Sequence, residues 1–250
     1  MTVSLIIPAY NEEERLPRFL EALATFLAAN PNLLQEVLIV DDGSHDRTTE
    51  VATRFRDRLP GFRVLRHSQN RGKGAAVQLG VNAARSDAVL FIDADGATAP
   101  QELPNIIAHL DHAPIVVGHR WTTGAVAHGQ TPLRSISSHM LRLSMTIFGL
   151  GDTDTMCGCK AFRRDIAVRL FHPLLSGRWL FDQEVLFRAR LLGIPTANIP
   201  IHWTSQRGSK LRLSTLVRSA LELPVLLLRV WWQLRFNVAS PPSKTPSPQQ

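Results

Sequence analysis

Residues 89–98 read VLFIDADGAT, and their chemistry lies in Asp93 and Asp95. Four apolar residues come first, then two carboxylates one residue apart, then Gly96. On an extended chain the two acids project to one side, and the glycine lets the backbone turn tightly after them. Left unpaired, each carboxylate shifts the other's pKa upward. A hard divalent cation removes that repulsion, since Mg2+ or Mn2+ is commonly held by one or two carboxylates together with substrate phosphates. The pair therefore points to a metal site for a diphosphate, with a solvated acidic turn as the plain alternative. DDGS at 41–44 repeats the pattern, and an aspartate there can bond a nucleobase or ribose. NRGKG at 70–74 puts backbone N–H groups and Lys73 at a helix start, a natural phosphate cradle. GxxxxGK[ST] is absent, which excludes a P-loop, and no GxGxxG follows the first strand, which disfavours a dinucleotide fold.

These clusters need strands to place them. Apolar runs predict strands at 3–7 (stopped by Pro8), 37–40, 62–67, 88–92 and 114–120. Asn11 is placed to cap a helix with Glu12, Glu13 and Glu14 in its first turn, and Leu16, Phe19, Leu20, Leu23 and Phe26 form its apolar face. Further helices are predicted at 44–55, after the glycine-rich turn in 70–84, and at 132–151, 166–175 and 181–193, the last ended by Gly193. Residues 196–203 suggest a strand, and 213–236 an apolar, basic helical stretch interrupted by Pro224. Strands alternating with helices predict an α/β fold with a mostly parallel sheet. Ligands bind beyond the carboxyl ends of such strands, where PAYNE, DDGS, NRGKG and DADG all fall.

The chain carries 28 Lys+Arg against 21 Asp+Glu, a net charge of +7, which favours an anionic partner. No recognition motif or aromatic-interleaved basic face supports nucleic acid. Cys157 and Cys159 are too close in sequence to staple a domain and lack clustered co-ligands for zinc. They read as reduced thiols, which suits a cytoplasmic setting. The N-terminus has no basic n-region, so no signal peptide is expected, and no window holds about 20 uncharged apolar residues, so no spanning helix is expected.

LIIPAYNEEERLP, VLIVDDGSHDRT, NRGKGAAVQLG and DADGAT closely resemble the family 2 glycosyltransferases, whose fold is GT-A, a Rossmann-like central sheet flanked by helices. DTMCGCKAFRR (154–164), RWLFDQEVL (178–186) and RGSKL (207–211) look like the branch that holds dolichyl-phosphate glucosyltransferases and dolichyl-phosphate mannose synthases. Seven motifs stand in order, the resemblance covers roughly residues 3–235, and DADGAT, RWLFD and GSK are more like the glucosyl enzymes. The resemblance implies that Pro8, Ala9, Tyr10, Glu12 and Asp42 line a nucleobase pocket. It implies that Lys73, Asp93, Ala94, Asp95 and Ser209 meet the nucleotide sugar, with Asp95 and then Asp93 as ligands of Mg2+ or Mn2+. The mannosyl relatives resemble DADLQ, where Gln is a further ligand; here that position is Ala97, leaving Thr98 or water to substitute.

Arg120, Arg134 and Ser138 match positions that hold the lipid phosphate in the mannosyl relatives. Arg134 and Ser138 share a helix face, which otherwise reads as a solvated basic surface. Asp154 is expected to position the acceptor or act as a base, or else to cap a turn. Asp182 is expected to face the donor sugar, or to cap its helix. Arg207 and Lys210, with Ser209, form a basic loop able to close over the diphosphate. Trp179 and Trp203 read as core or wall residues.

The reading is an inverting, metal-dependent hexosyltransferase acting on a polyprenyl (dolichyl-type) phosphate, with UDP-glucose as first choice of donor and GDP-mannose as second. A soluble saccharide acceptor and a non-catalytic nucleotide-sugar-binding role are the alternatives. Residues 1–212 are expected to form the GT-A domain and 213–237 amphipathic helices that lie on a membrane surface, with core packing or a dimer contact as the plain alternative. Residues 238–250 are expected to be a disordered tail. The enzyme would sit peripherally on the cytoplasmic face of a membrane.

Overall fold

The computed structural model describes residues 1–128, 145–205 and 213–236, with backbone alone at 127–128 and 213–220. The elements run β1 (Val3–Ala9), α1 (Leu16–Ala29), β2 (Glu36–Asp41), α2 (Thr48–Thr53), β3 (Arg63–Arg66), α3 (Lys73–Ala83), β4 (Ala88–Ile92) and α4 (Leu103–His109). Then come β5 (Ile115–His119), β6 (Val126–His128), β7 (Cys159–Arg163), α5 (Arg164–Phe171), α6 (Phe181–Leu191), β8 (Thr196–Pro200), β9 (His202–Thr204) and α7 (Leu213–Phe236).

Seven strands form the central sheet in the order β3-β2-β1-β4-β7-β5-β8, while β6 and β9 pair separately. Every pairing in the large sheet is parallel except those of β7, which runs antiparallel to both β4 and β5. The central strands β1, β4 and β5 are largely apolar and buried because helices cover both faces. In β4, Ala88, Leu90 and Ile92 join the core on one side with α1 and α4, while Val89 and Phe91 join the core on the other with α3, α5, α6 and α7. The strand order reverses between β1 and β4, which is where an α/β sheet opens a crevice for ligands. The acid pair follows β4 directly.

Several local expectations are corrected. Pro8 lies inside β1: the pairing with β4 ends at Ile6↔Phe91, so its missing N–H costs that ladder nothing. Asn11 does not cap α1. It adopts a left-handed φ of 52°, and Glu12, Glu13 and Glu14 form the turn before the helix, which starts at Leu16 with Pro17 in its first turn. The 44–55 helix shortens to α2, and the 166–175 helix ends at Phe171. The 196–203 strand divides at Ile201 into β8 and β9, which belong to different sheets. α7 is one helix with Pro224 inside it. β7 was not anticipated. Of the predicted helix at 132–151, residues 132–144 lie outside the described residues, as does the 238–250 tail.

Candidate active site

The turn after β4 is held from its neighbour. Asp93 N–H donates to Gly158 O at 3.1 Å, and a Cβ on Gly158 would overlap the Asp93 carboxylate. Glycine at 158 thus makes room for the acid. Lys73 Nζ lies 2.5 Å from Asp93 Oδ1, with the Phe91 and Phe181 rings 5.9 and 5.8 Å from the ammonium. Burial works against the Lys73 charge, but Asp93, Asp182 and Asp95 outweigh it and raise its pKa. Asp95 Oδ1 accepts the Ala97 N–H at 3.0 Å. Burial, then the Asp93 charge, raise the Asp95 pKa.

The donor set suits a hard cation. It offers carboxylate oxygen only, and the upward shift on Asp95 shows negative charge crowded into a partly dry site. Ala97 is apolar and buried, and no group of three or more His, Cys, Asp or Glu occurs among the described residues. An ion here would take two carboxylates and complete its shell with diphosphate oxygens and water.

The glycine-rich loop corrects the phosphate-cradle expectation. Arg71 and Gly72 N–H groups donate to the two oxygens of Asp42 at 2.9 and 2.7 Å. Gly74 and Ala75, at the start of α3, donate to the carbonyls of Arg178 and Gly177 at 3.3 and 2.9 Å. Those four donors are occupied by the protein itself, which leaves the Lys73 ammonium as the loop's group at the acid pair. Asp42 accordingly anchors the loop, with His67 Nδ1 also 2.8 Å from its Oδ1. Its neighbour Asp41 is fully buried and accepts from Ser44 N–H at 2.8 Å and from the Thr49 hydroxyl.

At the end of β1, Pro8 and Ala9 are buried and Tyr10 is half-buried, edge-on to His45 at 6.4 Å. Glu12 bonds the Arg15 guanidinium, and its N–H donates to Thr48 Oγ1 at 2.7 Å. Parallel registry brings the ends of β1 and β2 together, Ala9 opposite Asp41, so these residues share the sheet edge with the acid pair. Ala94 is buried between the two acids.

Because β7 is antiparallel, its first residue pairs with the last of β4, Ile92↔Cys159. The turn before β7 therefore reaches the same edge. Asp154, in that turn, is gripped by Arg120 through Nε and Nη2 at 2.7 and 2.9 Å, and Arg120 N–H adds a third bond at 3.2 Å. Both residues are buried. Burial raises the Asp154 pKa, but the Arg120 bonds and charge more than reverse it, and the carboxyl is held below its ordinary range. Asp154 is thus a poor base and a strong anchor, and Arg120 is engaged internally rather than open to a phosphate. Cys157 and Cys159 are free and buried, and burial pushes the Cys157 thiol up to about 12.

Asp182, at the start of α6, accepts from Lys160 Nζ at 2.7 Å. Burial raises its pKa against the pull of Lys160 and Lys73. Glu184 is fully buried and accepts the N–H groups of Leu175 and Ser176 together with the Arg188 guanidinium. Trp203 is in the core as expected; Trp179 is 40% exposed. Arg134, Ser138, Arg207, Ser209 and Lys210 lie outside the described residues.

The site thus offers an acid pair beside a permanently charged lysine, at the sheet edge where strand order reverses. The sequence model of Glycosyl transferase family 2 matches residues 4–171, which include all of these strand ends up to β7. The chain belongs to this family. A dolichyl-phosphate beta-glucosyltransferase of Trichomonas vaginalis is 34% identical over 88% of this chain and 69% of its own length. Those of Drosophila melanogaster and Homo sapiens are 37% and 35% identical, each over 84% of this chain and 69% of their own. Among solved structures, glucosyl-3-phosphoglycerate synthase from Mycobacterium tuberculosis in complex with Mn2+ and uridine-diphosphate-glucose superposes with a TM-score of 0.71. That match has 20% identity, over 92% of this chain and 78% of that one. The fold is GT-A.

The motif DTMCGCKAFRR spans Lys160, but the resemblance assigns no role to it. It is 1% exposed, and besides Asp182 it donates to the carbonyls of Thr155 and Cys157 at 3.1 and 2.5 Å. The signal for it was a lone lysine among CGCKAF in a strand that pattern reading did not find.

Proposed function

We propose that the chain transfers glucose from UDP-glucose to a polyprenyl (dolichyl-type) phosphate, with inversion at the anomeric carbon. The observation that carries it is the Asp93–Asp95–Lys73 cluster at the crevice of a family 2 chain about a third identical to dolichyl-phosphate beta-glucosyltransferases. In this reading a phosphate oxygen of the acceptor attacks the anomeric carbon as the bond to UDP breaks. The acceptor is already anionic and needs no strong base. That agrees with the structure's pairing of both nearby acids, Asp154 with Arg120 and Asp182 with Lys160. Lys73 stays protonated and offsets charge on the departing diphosphate. Asp93 and Asp95 would hold Mg2+ or Mn2+, which would supply further neutralisation of that diphosphate. Ala94, Tyr10 and the buried end of β1 would wall the nucleotide, and Ser209 with Arg207 and Lys210 would close over it.

The acceptor lives in a bilayer, so the enzyme must reach one. Among the described residues no helix is long and apolar enough to cross a membrane. α7 instead has two apolar faces. Leu223, Leu226, Leu227 and Val230 are buried in the core, while Leu221, Val225, Leu228, Trp232 and Phe236 make an exposed stripe at helical spacing. The exposed stripe suits a helix seated at the headgroup level of a cytoplasmic leaflet, with Arg229 and Arg235 beside it.

The test is a transfer assay with purified protein, polyprenyl phosphate and Mg2+ or Mn2+, using labelled UDP-glucose or GDP-mannose. Organic-phase label is expected from UDP-glucose and is expected to fall on the order of 100-fold or more in Asp95→Ala. Label from GDP-mannose alone would overturn the donor, and label appearing only on a soluble saccharide would overturn the acceptor.

A further inference from the structure

Residues 175–181 cross the start of α3 on a rigid track. Leu175 and Ser176 N–H groups are tied to Glu184, and the carbonyls of Gly177 and Arg178 accept from Ala75 and Gly74. The track touches the glycine-rich loop so closely that side chains there are excluded. A Cβ on Gly72 would lie 2.5 Å from Gly177 O and 2.9 Å from both Cα and Cγ of Arg178, and one on Gly74 would lie 2.6 Å from Phe181 Cβ. Leu180 and Phe181, which follow, are buried.

Between these fixed points the chain turns two side chains outward. Arg178 is exposed, and Trp179 is 40% exposed. Neither side chain makes a hydrogen bond, ion pair or ring contact among the described residues, although many other arginines here are paired. Arg178 packs on Gly72, the residue before Lys73, whose ammonium sits on Asp93. A guanidinium and an indole are thus carried, unpartnered, on a tied backbone beside the loop that holds Lys73. Arg and Trp are the residue types that most often dominate recognition, the first by its fork for phosphate oxygens and the second by its large apolar face. Arg120, which the family resemblance offered for the acceptor phosphate, is buried on Asp154.

We propose that Arg178 and Trp179 form a binding subsite for the acceptor, Arg178 taking its phosphate and Trp179 the first isoprene units of its chain. This rests on the polyprenyl-phosphate reading above.

The experiment uses the full chain with Arg178→Ala, Arg178→Lys and Trp179→Ala. Each is assayed with a long polyprenyl phosphate in micelles and with a short water-soluble isoprenoid phosphate. Arg178→Ala is expected to raise the acceptor KM about tenfold with both compounds and to leave the UDP-glucose KM unchanged, with partial recovery in Arg178→Lys. Trp179→Ala is expected to raise the acceptor KM with both compounds. Binding of the short compound is also read without turnover, as a change in tryptophan fluorescence that Trp179→Phe abolishes and Arg178→Ala weakens. Transfer with unchanged acceptor KM in the variants, or an increase confined to the UDP-glucose KM, overturns the subsite and leaves the proposed function standing. Binding that depends on Arg178 and Trp179 without any glucose transfer does the reverse. Binding unaffected by either substitution overturns the subsite whatever the transfer result.

Discussion

Lys73 and the two acids it faces show how much one charge decides. Asp93 has a cation at 2.5 Å, while half-buried Asp95 next to Asp93 has its pKa raised by desolvation first and by that neighbour second. A carboxyl whose folded-state pKa lies above its unfolded value stabilises the fold only below the unfolded value, near 3.9, and that contribution is lost as pH rises through the folded value. At neutral pH and without a divalent ion, ionised Asp95 therefore destabilises the fold. Asp95→Asn is expected to raise the thermal unfolding midpoint at pH 7 in chelator, while abolishing transfer. The stability advantage should shrink as pH falls toward the ordinary carboxylate range, and added Mg2+ or Mn2+ should stabilise the wild type more than the variant. A midpoint lower than wild type at pH 7 in chelator would contradict this. Asp93 and Asp95 were legible as a pair because local sequence sets their spacing; the burial that leads the rise in the Asp95 pKa was not, because it depends on how the fold covers that turn.

At the scale of elements, the contact between the glycine-rich loop and the 175–181 track organises the site. α3 begins where Asp42 and the carbonyls of Gly177 and Arg178 take up N–H groups. Gly74 is needed for approach rather than for backbone freedom, since Phe181 and Ser176 occupy the space a Cβ would need. Gly74→Ala is expected to cost about 1–3 kcal/mol by urea denaturation, through overpacking against Phe181. It should also lower transfer activity, because it displaces Lys73 next door. Activity and stability equal to wild type would show that the track can retreat. Strand β7 escaped pattern reading for a related reason. Its five residues CKAFR contain a lysine and an arginine, and only its antiparallel position between β4 and β5 makes Lys160 a buried strand residue paired to Asp182.

Over the whole molecule, α7 is a core helix that, in the membrane proposal, also seats the enzyme. Its inner face shares a core with α3, α5 and α6, and Gln233 accepts a bond from Arg188 of α6 at 2.9 Å. The core-packing reading and the membrane reading therefore concern opposite faces of one helix. In the membrane proposal, Leu228→Glu combined with Trp232→Glu should reduce co-sedimentation with anionic vesicles several-fold at unchanged far-ultraviolet circular dichroism, since both side chains are exposed, at 63% and 58%. The wild type should lose vesicle binding as salt is raised, in keeping with its net charge of +7. Undiminished sedimentation of the double variant would remove α7 as the seat.

The sequence alone determined that strands end in acids, that glycines follow them, and that these ends meet at one edge of a mostly parallel sheet. Periodicity, punctuation by Gly and Pro, and residue type are local properties, and they suffice for that much. Tertiary structure alone decided which polar groups remain available. The N–H groups of NRGKG read as a phosphate cradle until Asp42 and the Arg178 carbonyl were seen to occupy those of residues 71, 72 and 74. Arg120 read as a phosphate ligand until Asp154, thirty-four residues on, was found to close on it. Arg178 and Trp179 read as motif and wall until the fold left both exposed, Arg178 against Gly72. A hydrogen-bonding group buried without a partner is costly, so partners are found wherever the fold brings them, often far along the chain.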